Sequence, residues 1–428
     1  MSEKLTIEGF AGIGHMELDL RKINILIGPQ ATGKSIVAKL LYFFKSLPWE
    51  LVTGACMGIT EKTFRESLRA KFDEYFARRA LGSGDFVLGY KCGSEHIRIA
   101  RKVTDRNTLG AVISYSPFFS EAFSRLSAEA RSMQGQTDRL PPGTKLGTRG
   151  IYQNFADSVA ETVSPELFLS QLFVPAERSF FACVRSNVFT LLQAHAPIDA
   201  FIREFGSLYE WARMALQRDA PAAPEMVKKS PAQIDRLVRR ILGARYVLEQ
   251  DEDFLAFDDG RLVDIAHASS GQQEAFPLAV ILSALPLFRS AANGQTVYVE
   301  EPEAHLFPIT QRDVVELIAT VFNTKPDRLQ LVVTTHSPYI LTAFNNLLEA
   351  GQVAGELAKE GNKKALGKLH RVVPKSRHLL AEDVAAFYLD GKRARSIMTK
   401  EGLIEAEEID SVSDQIAVQF DKILDIRG

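Results

Sequence analysis

The stretch "INILIGPQATGKS", residues 23–35, decides the reading of this chain. It opens with Ile23, Asn24, Ile25, Leu26 and Ile27, a composition suited to a short strand buried on both faces. Gly28 to Ser35 follow in the pattern G-x-x-x-x-G-K-S, and then a run of helical character, "KSIVAKLLYFFKSL". Strand, glycine-bounded loop and helix in this order predict a cradle for phosphate. The glycines permit turns that aim backbone N–H groups inward, and the helix start adds its positive dipole end. Between Gly28 and Gly33, the residues Pro29, Gln30, Ala31 and Thr32 supply the cradle's backbone. Lys34 places a compact positive charge at β- and γ-phosphates, and Ser35 offers a hydroxyl to Mg²⁺. ATP and Mg²⁺ are the ligands this pattern predicts.

The rest of the composition narrows the setting. A chain of 428 residues is long enough for more than one lobe. A formal net charge of -2 argues against a globally basic nucleic-acid binder but leaves room for a local basic patch. The three cysteines, Cys56, Cys92 and Cys183, show no C-x-x-C spacing, so neither a disulfide framework nor a zinc site is expected. The charged, alternating N-terminus does not read as a secretory leader. The longest apolar stretch, 275–288, holds Pro277 and Pro286 and is too short for a bilayer span. A cytoplasmic chain with no membrane partner is expected.

Working outward from the loop, residues 5–22 alternate as a β-hairpin would, and 60–81 read as a charged amphipathic helix. Residues 85–115 alternate again, as a small antiparallel sheet. Polar loops are expected at 136–150 and 218–233, a strand ending near Val174, helix over 186–216, and one basic helix in "IDRLVRRILGARY". From 253 onward the order is hairpin, helix, strand, helix, strand. The pattern predicts an α/β fold with an N-terminal antiparallel β-hairpin edge, a central, mainly parallel sheet and an inserted helical lobe. The core would be 1–55 and 253–428, with 56–252 inserted.

Three more stretches carry chemistry. "QTVYVEEPEAHLFP", 295–308, is a short apolar strand ending in Glu300 and Glu301. Adjacent carboxylates at a strand end repel unless a cation and a water use them. Glu300 would hold Mg²⁺, and Glu301 would polarise the water that attacks a γ-phosphate. "HASSGQQEAFPLAVIL", from His267, starts an apolar helix with Ser269, Ser270, Gly271 and Gln272. That is an ordinary cap and also a second helix N-terminus able to face an anion. "LVVTTHSPYIL", 331–341, sets His336 directly after a buried-looking strand.

In chain order these motifs resemble the ATP-binding-cassette ATPases of the non-transporter branch, and within it the compact ATPases related to RecF and to the overcoming-lysogenization-defect (OLD) proteins. "SSGQQ" stands at the family's signature, "EEPEAHLFP" is similar to its Walker B segment, and "TTHSPYIL" to its switch-histidine segment. The resemblance covers the two ends of the chain and matches 56–250 only loosely. It implies that His336 contacts the γ-phosphate. It also implies that Ser270, Gly271 and Gln272 close over a nucleotide held by a second subunit in a homodimer or larger assembly. Glu301 and His336 are then the candidate catalytic residues, and Ser35 and Glu300 the candidate metal ligands. The chain departs from the family in having Glu300 where most members have aspartate, and Gln30 in place of asparagine. The family's glutamine loop is not obvious, and "LFVPAERS", with Glu177 or Arg178, is its nearest equivalent. Many OLD relatives carry a C-terminal topoisomerase-primase nuclease domain, whose Asp-x-Asp signature is not seen after His336. The resemblance therefore implies ATP hydrolysis that controls a separate effector, a nuclease or toxin, in bacterial anti-phage defence. Two other readings stand beside it: a RecF-like recombination or repair ATPase with DNA as partner, and a non-hydrolysing ATP-gated scaffold.

Two further segments are less specific. Residues 359–378, "KEGNKKALGKLHRVVPKSRH", hold seven Lys/Arg and one Glu and read as a solvated hairpin, with nucleic acid or an acidic partner as the other reading. "KK" at 228 and "RLVRR" at 236 form a second basic stretch. In the C-terminal tail Ile409, Val412, Ile416, Phe420, Ile423 and Leu424 recur at helical spacing, which predicts a helix packed on the chain's own core.

Overall fold

A computed structural model describes residues 3–77, 81–82, 84–104, 107–108, 111–137, 148–159, 163–184, 199–216, 232–287, 294–405 and 407–426. The centre is a six-stranded sheet built around β3 (Ile23–Ile27). Its other strands are β9 (Ser170–Val174), β13 (Gln295–Glu300), β14 (Leu329–Thr335), β15 (Val384–Leu389) and β16 (Ala394–Ser396). The order is β16-β15-β3-β14-β13-β9, parallel throughout except for β16. Alternation assigns each strand's residues to two faces. Leu26, Phe173, Tyr298 and Val332 face one apolar core, and Ile25, Ile27, Val174, Val297, Val299 and Leu331 face the other. Both faces are covered, so the strands read as continuous apolar runs rather than alternating ones.

The first core is closed by an antiparallel sheet of order β2-β1-β4-β5-β8. It comprises β1 (Glu3–Phe10), β2 (Ile13–Leu20), β4 (Phe86–Cys92), β5 (Glu95–Arg101) and β8 (Val112–Tyr115); the short pair β6 (Val103–Thr104) and β7 (Asn107–Thr108) lies between β5 and β8. Between the two sheets runs α1 (Lys34–Cys56), whose Leu40, Leu41, Phe44 and Leu47 are buried. Helices α2 (Glu61–Tyr75), α3 (Pro117–Thr137) and α4 (Thr148–Val159) contact α1, and Phe64, Phe123 and Phe155 of these helices join its core. The second core is covered by α5 (Ser179–Val184), α6 (Ala200–Leu216), α7 (Ala232–Leu242), α8 (Ser270–Ala284), α9 (Pro308–Phe322) and α10 (Pro338–Lys359). A three-stranded meander of β10 (Arg245–Glu249), β11 (Glu252–Ala256) and β12 (Leu262–Asp264) leads into α8.

The fold is α/β with an antiparallel edge sheet and a mainly parallel central sheet, as the sequence predicts. The expected division into a core of 1–55 and 253–428 and an insert of 56–252 is cut across by both sheets. β4 pairs with β1, and β9 pairs with β13, so strands from the expected insert complete sheets begun elsewhere. Two local expectations are corrected. Residues 359–378 hold no hairpin: α11 (Lys363–Val372) is a helix capped by Asn362, whose Oδ1 accepts from the Ala365 N–H at 3.1 Å. The tail forms α12 (Glu407–Ile426), but Phe420, Ile423 and Leu424 are exposed rather than packed on the core. The side chains of Ile409, Val412 and Ile416 lie outside the described residues. Most of the 218–233 loop and the pair at 228 lie outside the described residues, as does much of 136–150.

Candidate active site

Topology assembles the site before any side chain does. Five central strands are parallel, so their C-terminal ends share one edge. Ile27 pairs with Thr335 and Tyr388, Thr334 with Glu300, and Val299 with Val174. The segments that follow these residues therefore converge. They are the phosphate loop, His336, the Glu300-Glu301 pair and the Pro175–Arg178 turn.

The loop is a tight cradle. Gly33 caps α1 with φ 93°, a left-handed conformation that favours glycine, and a Cβ there would lie 2.9 Å from Ile13 Cδ1. At Gly28 a Cβ would sit 2.1 Å from the Leu389 carbonyl, so any side chain would push β15 away. The Thr32 hydroxyl donates to the Pro29 carbonyl at 2.8 Å and closes the turn. Lys34 is almost wholly buried and folds back into the cradle. Its Nζ donates to the carbonyls of Gly28 at 2.8 Å and Pro29 at 2.7 Å. Burial pulls its pKa down to about 8, opposed by Glu301 and Glu303.

Lys34 Nζ also lies 3.2 Å from His336 Nδ1, and His336 Nε2 lies 3.0 Å from Glu301 Oε1. An ammonium only donates and a carboxylate only accepts. A neutral imidazole with its proton on Nε2 satisfies both. One chain of contacts thus joins the glycine-bounded loop, His336 and the acidic strand end.

Glu300 is 4% exposed, and burial raises its pKa. The Ser35 hydroxyl and the Ala176 N–H lie near this carboxylate and favour its ionised form, yet Oε1 has no hydrogen-bond partner. A buried carboxylate oxygen left unpaired beside a serine hydroxyl fits a hard cation with oxygen ligands. Glu177 adds a second nearby negative charge that opposes ionisation of Glu300. The residues present therefore fit Mg²⁺ held by Ser35 and Glu300, and the loop fits phosphate.

Two positions are not singled out by sequence for the roles they take here. Glu303 is largely buried and accepts from the His336 backbone N–H at 2.6 Å and the Thr335 hydroxyl at 2.7 Å. It fixes the turn on which His336 stands, while burial raises its pKa. The signal is present in "EEPE", but only the fold shows which carboxylate faces the histidine. Arg178 is wholly buried. Its guanidinium donates to the carbonyls of Pro175, Glu300, Glu301 and Glu274 and pairs with the Glu274 carboxylate at 3.4 Å. Burial pulls its pKa below the usual guanidinium value, and Glu274 leads the carboxylates that oppose this. Arg178 therefore ties α8 to the acidic strand end. It also holds the carbonyl of Glu301, whose φ of 42° is strained for a non-glycine residue.

Arg178→Ala would leave a buried carboxylate and four carbonyls without their cation. A stability loss of about 3–5 kcal/mol is expected in urea denaturation. Arg178→Lys should recover only part of it, because one ammonium replaces a planar fork. A loss well under 1 kcal/mol for Arg178→Ala would show that this ion pair does not hold the edge together.

The Ser-Gly helix start stands apart from the loop. Ser269, not Ser270, is the cap of α8, in a capping box with Gln272. Gln272 is engaged at both ends: Oε1 accepts from the Ser269 N–H at 3.1 Å, and Nε2 donates to the Leu242 carbonyl at 2.8 Å. Gly271 packs against the His305 carbonyl, which a Cβ would meet at 2.9 Å. Ser270 is exposed and lines an open cleft of about 330 Å³ with Glu177, Phe180, Gln273 and His305. Ser270, Gly271 and Gln272 thus face α7, His305 and the cleft, not the phosphate loop.

The family described as "AAA domain, putative AbiEii toxin, Type IV TA system" matches residues 184–342. The match takes in the Ser-Gly helix start, the acidic strand end and His336, and it excludes the phosphate loop. Solved structures similar to the chain include the SMC head domain from Thermotoga maritima, 14% identical, covering 80% of this chain and 91% of that one at a TM-score of 0.34. The SmcHead bound to the C-winged helix domain of ScpA is 13% identical, with coverages of 94% and 98% and a TM-score of 0.38. The Smc head domain with an extended coiled coil, bound to the C-terminal domain of ScpA derived from Pyrococcus furiosus, is 13% identical, with coverages of 97% and 99% and a TM-score of 0.36. No curated protein matches the chain. Among the described residues no helix is long and apolar enough to cross a membrane.

Proposed function

We propose that this protein binds and hydrolyses ATP with Mg²⁺, and that ATP closes two copies of the chain over shared nucleotides. The observation that carries the reading is the contact chain Lys34–His336–Glu301 beside the Ser35–Glu300 pair. Lys34 would leave the Gly28 and Pro29 carbonyls and hold β- and γ-phosphate oxygens. Ser35 and Glu300 would hold Mg²⁺, which supplies charge neutralisation on the phosphates when bound. Glu301 would accept a hydrogen bond from the attacking water and orient it. His336, aimed by Glu303, would report the γ-phosphate to both. Phosphate release by the purified chain tests hydrolysis. Stoichiometric ATP binding without turnover would replace it with an ATP-gated scaffold.

Assembly rests on Ser270 and Gly271. They present an exposed helix N-terminus that no phosphate of their own chain's loop would satisfy. Ser270→Arg should keep ATP affinity within a few-fold, because the loop is untouched and Ser269 still caps α8. It should lose turnover by at least about tenfold, because a bulky cation blocks closure by a partner. Nucleotide titration and phosphate release check the two arms. Wild-type turnover in Ser270→Arg would return this segment to a plain helix cap.

We further infer that the assembly controls a separate effector, a nuclease or toxin, in bacterial anti-phage defence. The support is the resemblance to OLD-like ATPases and a family description that names a toxin. Co-purification of the product of an adjacent gene with the Glu301→Gln chain, dependent on ATP, tests it. Equal recovery with and without ATP removes the nucleotide control.

A further inference from the structure

Helix α11 (Lys363–Val372) is a surface helix with no buried residue. Its amphipathic pattern is one-sided. Leu366, Leu369 and Val373 are half-buried, and α11 packs on α10. Lys364, Lys368 and Arg371, at i, i+4 and i+7, share another face and are exposed. Lys359 at the end of α10, Lys363 beside the stripe and Lys375 just beyond α11 are exposed as well. Elsewhere on this surface cations are paired: Arg377 with Glu316, and Arg240 with Asp313 and Glu316. Among the described residues these six cations have no carboxylate partner within ion-pair distance. Six unpaired positive charges on one short segment contrast with a whole chain of net charge -2. The local field is therefore built in rather than inherited from composition.

The residue types say what would sit there. The stripe holds lysines and one arginine, and no aromatic side chain. Protein interfaces are depleted of lysine and anchored by aromatics, so a protein partner fits poorly. Lysines spaced about 6 Å apart along a helix suit a regular row of phosphates, which need point charges and no base-reading fork. We propose that the α11 face, Lys364, Lys368 and Arg371 with Lys359, Lys363 and Lys375, is a docking surface for the phosphate backbone of a nucleic-acid duplex. The surface has a mechanical link to the nucleotide site. α10 starts two residues after His336 and, at 22 residues, reaches about 33 Å to the base of α11. The proposal does not require ATP hydrolysis by the chain.

The test is fluorescence anisotropy of the full chain with labelled duplex DNA, and in parallel with labelled duplex RNA, across salt from about 50 to 200 mM. At least one duplex is expected to bind with a steep salt dependence, and the tighter of the two names the polymer. K364Q/K368Q/R371Q should flatten the log–log salt slope by about 2.7, or about 0.9 for each phosphate no longer neutralised. The charge-retaining K364R/K368R variant should keep wild-type binding, which separates charge from folding defects. Binding of neither duplex, an unchanged slope in the triple Gln variant, or abolished binding in the Arg variant would each overturn the proposal. So would displacement of the duplex by polyglutamate at equal charge concentration, which would assign the face to an acidic protein. None of these outcomes bears on phosphate release, so this surface and the ATPase reading fail separately.

Discussion

Lys34→Ala is expected to remove ATP turnover, with a loss of about 10²–10³-fold or more in phosphate release. The ammonium is the only cation within the loop itself, and its position between the Gly28 and Pro29 carbonyls shows how closely the cradle fits it. Alanine leaves the fold of the loop to Gly28, Gly33 and the Thr32 hydroxyl, which hold it independently. The expected variant is therefore folded but unable to neutralise β- and γ-phosphate. Calorimetric titration with ATP, alongside a melting curve, separates this from unfolding. Wild-type affinity and turnover in a folded Lys34→Ala chain would refute the phosphate-loop assignment.

Glu301→Gln is expected to bind ATP normally and hydrolyse it about 10²–10⁴-fold more slowly. Glutamine keeps the shape and can still accept from His336 Nε2, but it has no charge with which to polarise a water. Glu300 faces Ser35 from burial, whereas the Glu301 side chain is 36% exposed and reaches His336. On the proposed function, that division of environments would put the metal at Glu300 and the water at Glu301. Single-turnover phosphate release with separately measured nucleotide affinity reads the two apart. Near-normal turnover in Glu301→Gln, with turnover lost in Glu300→Gln, would reverse the two roles. An ATP-dependent shift of Glu301→Gln to a larger species on gel filtration would accompany the expected result, since closed assemblies would no longer be resolved by hydrolysis.

Much of the site is legible in local pattern. The phosphate loop, Glu300, Glu301 and His336 each follow a short apolar strand, and strand ends are visible in sequence because apolar runs stop there. Local pattern does not say which strands are neighbours. β3 (Ile23–Ile27) lies beside β14 (Leu329–Thr335) although the chain between them is hundreds of residues long, and only the order β3-β14-β13 brings His336 between Lys34 and Glu301. Arg178 and Glu303 escape specific assignment for the same reason. Their roles lie in partners far away in sequence, Glu274 and Glu300 for one and His336 for the other.

The two local corrections have a common physical cause. Around α11, the spacing of Leu366, Leu369 and Val373 is helical, but the density of lysines and the flanking glycine mask it with the signature of a solvated turn. In α12 the periodicity of the apolar stripe identifies a helix face, yet it does not say what lies opposite. By itself the sequence determined most of the element types and the glycine-bounded loop at 28–35, and it singled out the residues proposed here to bind Mg²⁺ and orient water, because these depend on spacing within a few residues. Tertiary structure alone decided the sheet order, the shared C-terminal edge and the burial of Arg178. It also decided the exposure of the α11 cations, because burial and adjacency depend on contacts between segments far apart in the chain.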